Sequence, residues 1–165
     1  MAARKAKVVE RQNYKSGDVE VKEVKGRGNG LFAAVDLPAN WRIPYSGKEI
    51  DEKKYESRVA ASHIPATSTY AEYIIASGRK GVYIDGHPRF KVKNNANMVN
   101  EPPPGTTANM VMVMDKFTDG TKWPVFVTVR PVPAGEELFV KYGEGYVRKY
   151  KVGRRASKPA WLAKS

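Results

Sequence analysis

The chain of 165 residues contains no cysteine and only two histidines, His63 and His87. The first absence excludes disulfides and thiolate zinc sites, and the second leaves little for a metal cluster or a catalytic triad, so no metal is expected. His87, in Asp85-Gly86-His87-Pro88, reads as a turn residue rather than a ligand. No window reaches the uninterrupted apolar length of a membrane span, and the basic N-terminus lacks the apolar centre of a signal peptide. A soluble, intracellular protein without a membrane partner is the expectation. No internal repeat is visible, and eleven prolines with fourteen glycines break the chain too often for long helices.

Positive charge, by contrast, is abundant. The 29 Lys and Arg residues outnumber the 17 Asp and Glu, giving a net charge of +12 and a pI near 9.8. That balance points to an acidic partner such as nucleic acid, a nucleosome or an acidic protein face. Much of the excess lies at the ends, in Arg4, Lys5, Lys7 and Arg11 and again from Arg148 to Lys164, where basic runs are more often solvated tails than readers of a specific site.

Residues 1–17 are polar and basic without an apolar period and read as a disordered arm. One folded domain is expected over residues 18–150, followed by a basic, aromatic-containing tail over 151–165. Val19, Val21 and Val24 lead into a turn carrying Gly26, Gly28 and Gly30, which feeds an apolar strand over 31–35. A turn over 36–40 precedes a broken strand over 41–50. Residues 52–61 carry helix formers with no breaker and form the one convincing helix; 62–69 read as loop, and 70–75 and 81–86 as strands. Segments 110–117 and 122–129 flank Asp119-Gly120, a strong hairpin signal. The expected class is mainly β with one or two short helices.

Three stretches stand out. Pro133-Ala134-Gly135-Glu136-Glu137-Leu138-Phe139-Val140-Lys141-Tyr142-Gly143 reads as a turn, a short apolar strand and a tyrosine held before a glycine. Taken alone, that tyrosine reads as a half-buried packing residue rather than a functional one. The glycine turn at 26–30 lets a ligand approach bare backbone groups, but it precedes a strand rather than a helix and lacks a Gly-Lys-Ser or Gly-Lys-Thr ending, against both common nucleotide fingerprints. Asn94, Asn95, Asn97 and Asn100 cluster around Met98 and Val99, which draw the neighbouring amides inward, where each must find partners.

In order, these pieces resemble the motifs of the SET domain, a family of lysine methyltransferases that use S-adenosylmethionine. Gly28-Asn29-Gly30-Leu31-Phe32-Ala33 is similar to its glycine-rich motif, and Tyr45-Ser46-Gly47-Lys48-Glu49-Ile50 to the Tyr-x-Gly-x-x-Ile strand. Tyr83-Ile84-Asp85-Gly86 resembles the strand before the knot, Ala96-Asn97-Met98-Val99-Asn100-Glu101 resembles Ala-Arg-Phe-Ile-Asn-His, and Ala108-Asn109 the later Pro-Asn. The stretch ending at Tyr142 resembles Gly-Glu-Glu-Leu-x-x-Asp-Tyr-Gly. The resemblance runs from about Val19 to Tyr150. It departs at Glu101, where the family usually has His, and at Lys141, where it often has Asp. The absence of cysteine-rich flanking modules is most similar to small viral SET proteins, and Tyr146, Tyr150 and Trp161 are candidates to replace the zinc-bound tail.

The resemblance implies a β-clip fold of several small sheets with a knot-like C-terminal segment, and methyl transfer to lysine from S-adenosylmethionine, with S-adenosylhomocysteine as product. It implies Tyr142 as the catalytic hydroxyl. Tyr45, Tyr70, Val140 and Tyr146 are then candidates for the substrate channel, and Gly28, Asn29, Gly30, Asn97, Asn100 and Glu101 for cofactor binding. Many members carry an aromatic two residues before the tyrosine that limits methylation; Val140 stands there, so di- or trimethylation is expected. The expected substrate is a histone tail or another lysine-containing protein, with nucleosome or nucleic-acid contact through the basic surface, a nuclear location (the host nucleus if viral), and room for a homodimer. Ala2-Ala3-Arg4-Lys5 resembles the target context in histone tails, making Lys5 a candidate for methylation by the protein itself. Glu101, Lys141 and the charge motivate the alternative of a catalytically weak SET-like module that binds chromatin or nucleic acid.

Overall fold

The structure, a computed structural model, describes residues 9–62, 72–90, 94–116, 118–143 and 151–162. Its elements are mostly strands: β1 (Gln12–Asn13), β2 (Val19–Val24), β3 (Gly28–Ala33), β4 (Trp41–Pro44), β5 (Lys48–Asp51), β6 (Ile74–Ala76), β7 (Val82–Asp85), β8 (Met110–Lys116) and β9 (Lys122–Thr128). One α-helix, α1 (Glu52–Ala61), and a 3₁₀ turn over Ala96–Met98 complete the regular structure of the described residues. The strands form a four-stranded sheet in the order β1-β4-β9-β8, a β2-β3 pair and a three-stranded sheet β5-β7-β6. This matches the expected mainly-β class of several small sheets.

The chain divides into two compact units. The first comprises Met1–Ile43, Met98–Met112 and Phe126–Ser165, the second Pro44–Asn97 and Val113–Val125.

In the first unit, β2 and β3 pair antiparallel from Val19↔Ala33 to Val24↔Gly28. Alternation along β3 turns Leu31 and Ala33 into the core. The far edge of β3 is covered by the stretch after Pro133: the Leu138 N–H donates to the Leu31 carbonyl at 2.8 Å, the Ala33 N–H to Glu136 at 2.9 Å, and the Gly135 N–H to Ala33 at 2.7 Å. The short strand expected over 138–140 is realised as isolated bridges, Phe32↔Glu137 antiparallel and Asn100↔Phe139 parallel. On its other side the Met110 N–H donates to the Phe139 carbonyl at 3.0 Å. The segment is thus held by three separate parts of the chain, and Leu138 and Val140 are buried.

Both expected tails take part in the first unit. Within the arm read over 1–17, β1 pairs parallel with β4 (Gln12↔Trp41), and the Tyr14 ring meets Trp41 edge-on at 6.3 Å. Two residues of ladder plus an aromatic contact order a polar segment that has no apolar period of its own. Within 151–162, Thr107↔Arg154 form a parallel bridge, the Gly153 N–H donates to the Pro102 carbonyl at 2.7 Å, and Ala156 and Leu162 are buried.

In the second unit β7 pairs antiparallel with β5 (Lys48↔Asp85) and with β6 (Ile74↔Asp85). The strand expected over 70–75 is Ile74–Ala76; Glu72 and Tyr73 lie in a turn. Helix α1 has the expected bounds for local reasons. The Asp51 side chain caps it by accepting from the Lys54 N–H at 2.8 Å, Glu52 lies in the first turn and Arg58 in the last. None of its residues is fully buried, so it is held through Tyr55, stacked on Tyr83 at 4.0 Å, and through Arg58, 3.5 Å from Asp85.

Candidate functional site

The first unit brings seven of the expected residues together: Gly28, Asn29, Gly30, Asn100, Glu101, Val140 and Tyr142. The turn before β3 has Gly26 and Gly28 in the left-handed region, φ +80° and +75°, and leaves Gly28 and Asn29 exposed. The Asn100 side chain closes on this turn, with Nδ2 donating to the Asn29 carbonyl at 2.9 Å and to Glu137 Oε1 at 3.2 Å. Both amide hydrogens are thereby used, and the group Asn100 has to offer a ligand is its carbonyl oxygen.

Glu137 is buried at 7 % exposure and is neutralised by Arg27, whose Nη2 donates to Oε2 at 2.9 Å. The Arg27 guanidinium lies over the Phe139 ring at 5.6 Å from its centroid. Gly30 is required here for space, because a Cβ at this position would overlap the Glu137 carboxylate. Sequence reasoning singled out neither Arg27 nor Glu137. The available signal was strand alternation: Glu136 and Glu137 must face opposite ways, and one of them inward.

Tyr142 is half-buried and engaged through all three of its polar groups. Its hydroxyl donates to the Val99 carbonyl at 2.8 Å, its N–H to Glu101 Oε1 at 2.7 Å, and its carbonyl accepts from Arg155 Nη2 at 3.4 Å. With the phenol proton committed to Val99, the oxygen presents lone pairs to any further partner. Val140 is buried, its N–H donating to the Asn100 carbonyl at 3.0 Å. Lys141 Nζ lies 3.4 Å from the Gly153 carbonyl, so the cation at this position is met by the docked tail.

Asn109, fully buried, splints the same segment. Its Oδ1 accepts from the Phe139 N–H at 2.8 Å, and its Nδ2 donates to the Glu137 carbonyl at 2.8 Å.

The second unit contains Tyr45 and Asn97. Tyr45 is buried, and its hydroxyl donates to the Tyr73 carbonyl at 2.6 Å. Burial first, then the Asp85 carboxylate and Tyr73, push the phenol far above the usual tyrosine value, so it remains a protonated donor. Tyr73 is raised as well, by burial and then by Glu72. Gly86 has no room for a Cβ, which would come 2.5 Å from the Tyr45 hydroxyl. Asp85, with no solvent exposure, is paired with Arg89 at 3.1 Å and Arg58 at 3.5 Å and accepts from the His87 N–H at 3.0 Å, which supports the turn reading of His87.

Asn97 donates from Nδ2 to the Gly86 carbonyl at 2.6 Å, while its buried Oδ1 has no hydrogen-bond partner among the described residues. A buried carbonyl acceptor without a donor is costly. Tyr70, Tyr146 and Lys5 lie outside the described residues. No group of three or more His, Asp or Glu side chains able to hold a metal occurs among the described residues.

Small sheets, a C-terminal segment held between distant strands and a tyrosine fixed at its end define a β domain with the architecture of a SET domain. Comparison with protein-family models matches residues 28–143 to the SET domain, and the chain belongs to this family. Comparison with curated protein sequences finds no match. SET domains are in general S-adenosylmethionine-dependent methyltransferases acting on protein lysine.

Proposed function

We propose that the chain is a protein lysine N-methyltransferase with Tyr142 as its catalytic hydroxyl and a histone tail as its substrate. The observation that carries this reading is the grip on Tyr142 by residues 99 and 101 while Asn100, between them, closes on the glycine turn. Gly28, Asn29, Gly30, Asn97 and Asn100 are the residues proposed to hold the cofactor. In the first unit, the Asn100 side-chain oxygen and the exposed Gly28 and Asn29 suit a ligand rich in amino and polar groups.

When bound, S-adenosylmethionine supplies an electrophilic methyl group on a sulfonium. The lysine must arrive as the neutral amine, although its ordinary pKa is about 10.4. On the resemblance, Val140 would border the substrate channel, where apolar surroundings disfavour the ammonium by desolvation. The neutral amine would take that methyl through its lone pair, leaving the thioether S-adenosylhomocysteine, and the methylated ammonium would release its proton to solvent. Tyr142 contributes orientation: its lone pairs accept from the amine N–H while Val99 holds its proton, and such alignment lowers a barrier by up to roughly 7–11 kcal/mol in the best intramolecular cases.

The charge of +12 supports a nuclear, nucleosome-associated protein, and kinship with small viral SET proteins is part of the same proposal. A homodimer and methylation of Lys5 by the protein itself belong to the same proposal.

Calorimetry with S-adenosylmethionine, followed by methylation of a histone panel by wild type and Tyr142→Phe, tests this reading. Cofactor binding with turnover lost in the variant is expected; no binding would favour a chromatin-binding module instead. Equal self-labelling of wild type and Lys5→Arg would remove Lys5 as a target.

A further inference from the structure

The resembled motif has histidine where this chain has Glu101, and a carboxylate at a cofactor-binding position calls for an explanation. The structure offers one that concerns the tyrosine. Regular backbone pairing along the C-terminal segment ends at Val140, whose N–H donates to Asn100. Tyr142 lies beyond it, in chain that is neither strand nor helix, next to an exposed Gly143. Its N–H is met by a side chain: Glu101, only 6 % exposed, places Oε1 2.7 Å away. A hydrogen bond to a charged acceptor is shorter and stronger than one between neutral groups, and a carboxylate is buried only where such bonds offset its desolvation.

The neighbouring residues divide the work. The Asn100 side chain reaches the glycine turn through Asn29 and meets Glu137, whereas Glu101 reaches Tyr142. Val99 meets the same tyrosine at its other end, through its carbonyl and the phenol. Residues 99 and 101 therefore grip one side chain at backbone and hydroxyl. A shift of the Tyr142 backbone carries the phenol oxygen off Val99, and the bond from Glu101 to the Tyr142 N–H opposes that shift.

We propose that Glu101 is a positioning residue for Tyr142, its carboxylate anchoring the tyrosine backbone so that the phenol oxygen stays on the Val99 carbonyl, and that its side chain is not a ligand of the cofactor. This rests on the reading of Tyr142 as the methyl-transfer tyrosine. It also accounts for the departure from histidine: a ring nitrogen and a carboxylate oxygen are both acceptors for a backbone N–H.

Amide exchange, ligand affinity and turnover, measured on the full chain, separate anchoring from ligation. In Glu101→Ala the Tyr142 amide exchanges about tenfold faster or more while the Leu138 and Ala33 amides keep wild-type protection. Affinity for S-adenosylhomocysteine stays within about threefold, a change of under 1 kcal/mol. Turnover falls about 10- to 100-fold, the scale set by a misplacement near 1 Å. Glu101→Gln, which keeps a carbonyl acceptor, recovers a large part of both protection and turnover. An unchanged Tyr142 amide together with a tenfold or greater loss of affinity in Glu101→Ala would overturn the proposal.

Should Glu101→Ala lose the protection of its core, the decision passes to wild type and Glu101→Gln. The Tyr142 amide resonance differs between wild type and Glu101→Gln, which removes the charge on its acceptor, while the Leu138 and Ala33 resonances keep their positions; a Tyr142 resonance unmoved by the substitution overturns the proposal. Because the resonance needs neither cofactor nor turnover, a wild type that binds no cofactor defeats the methyltransferase reading without obscuring the anchoring result.

Discussion

Gly30 and the Glu137 carboxylate share one space: a methyl group on the glycine would overlap Oε1, which Arg27 and Asn100 hold in place. Gly30→Ala must displace a buried, paired carboxylate, and overpacking of this kind costs about 1–3 kcal/mol. Urea unfolding will show a lowered midpoint, and Glu137→Asp, by shortening the side chain, relieves part of the loss in the double variant. A Gly30→Ala protein as stable as wild type would contradict the overlap.

Asn109 bonds the Phe139 N–H and the Glu137 carbonyl from a fully buried position. Asn109→Ala leaves a donor and an acceptor without partners, at about 1–3 kcal/mol each. The unfolding free energy therefore drops by about 2–6 kcal/mol, and exchange at the Phe139 amide rises. Loss of less than about 1 kcal/mol would mean that water replaces the side chain.

Gly153 is crowded by backbone rather than by a flexible side chain. A Cβ there would overlap the Thr106 carbonyl and come 2.5 Å from the Pro103 oxygen. Gly153→Ala is expected to release residues 151–162, exposing the Ala108 N–H that donates to the Arg154 carbonyl at 2.8 Å. Limited proteolysis and exchange at Ala108 report the release; wild-type protection at Ala108 would argue against it.

Burial and then the Arg89 guanidinium push the His87 imidazole below the usual histidine range, against the pull of Asp85 and with a further push from Arg58. The folded state resists protonation more than the unfolded state does, so the contribution of His87 is present above the unfolded pKa, near 6.5, and is lost as pH falls through the lower folded value. Stability measured by denaturant at successive pH values declines from about pH 6.5 downward, and His87→Gln flattens this part of the curve. Glu136, held below the usual glutamate range by its bond from Arg130, adds a loss at lower pH still. Identical curves for wild type and His87→Gln between pH 7 and 5 would refute the assignment.

On the proposed function, Val140 at the position where an aromatic limits methylation leaves room for further rounds. Mass spectrometry at exhaustive turnover is expected to find di- or trimethyl-lysine. Monomethyl-lysine alone would defeat the prediction.

Much of the fold was legible in the sequence because its signals are local. Asp51 before helix formers marks the start of α1, and Asp119-Gly120, with Gly120 at φ +84°, marks the turn between β8 and β9. Alternating apolar residues mark β3. The order of the glycine turn, the asparagine cluster and Tyr142 likewise identified the family, since each motif is read from neighbouring residues.

What the sequence determined by itself was therefore the set of elements, the basic charge and the family to which the chain belongs. The tertiary structure decided the pairing of polar groups: Glu137 rather than Glu136 is the carboxylate beside Asn100, Glu101 reaches Tyr142, and Arg154 bridges Thr107. Arg27 and Glu137 are 110 residues apart, and no local propensity encodes such a partner. Burial chooses it, because a polar group taken out of water must be matched by whatever donor or acceptor folding brings beside it.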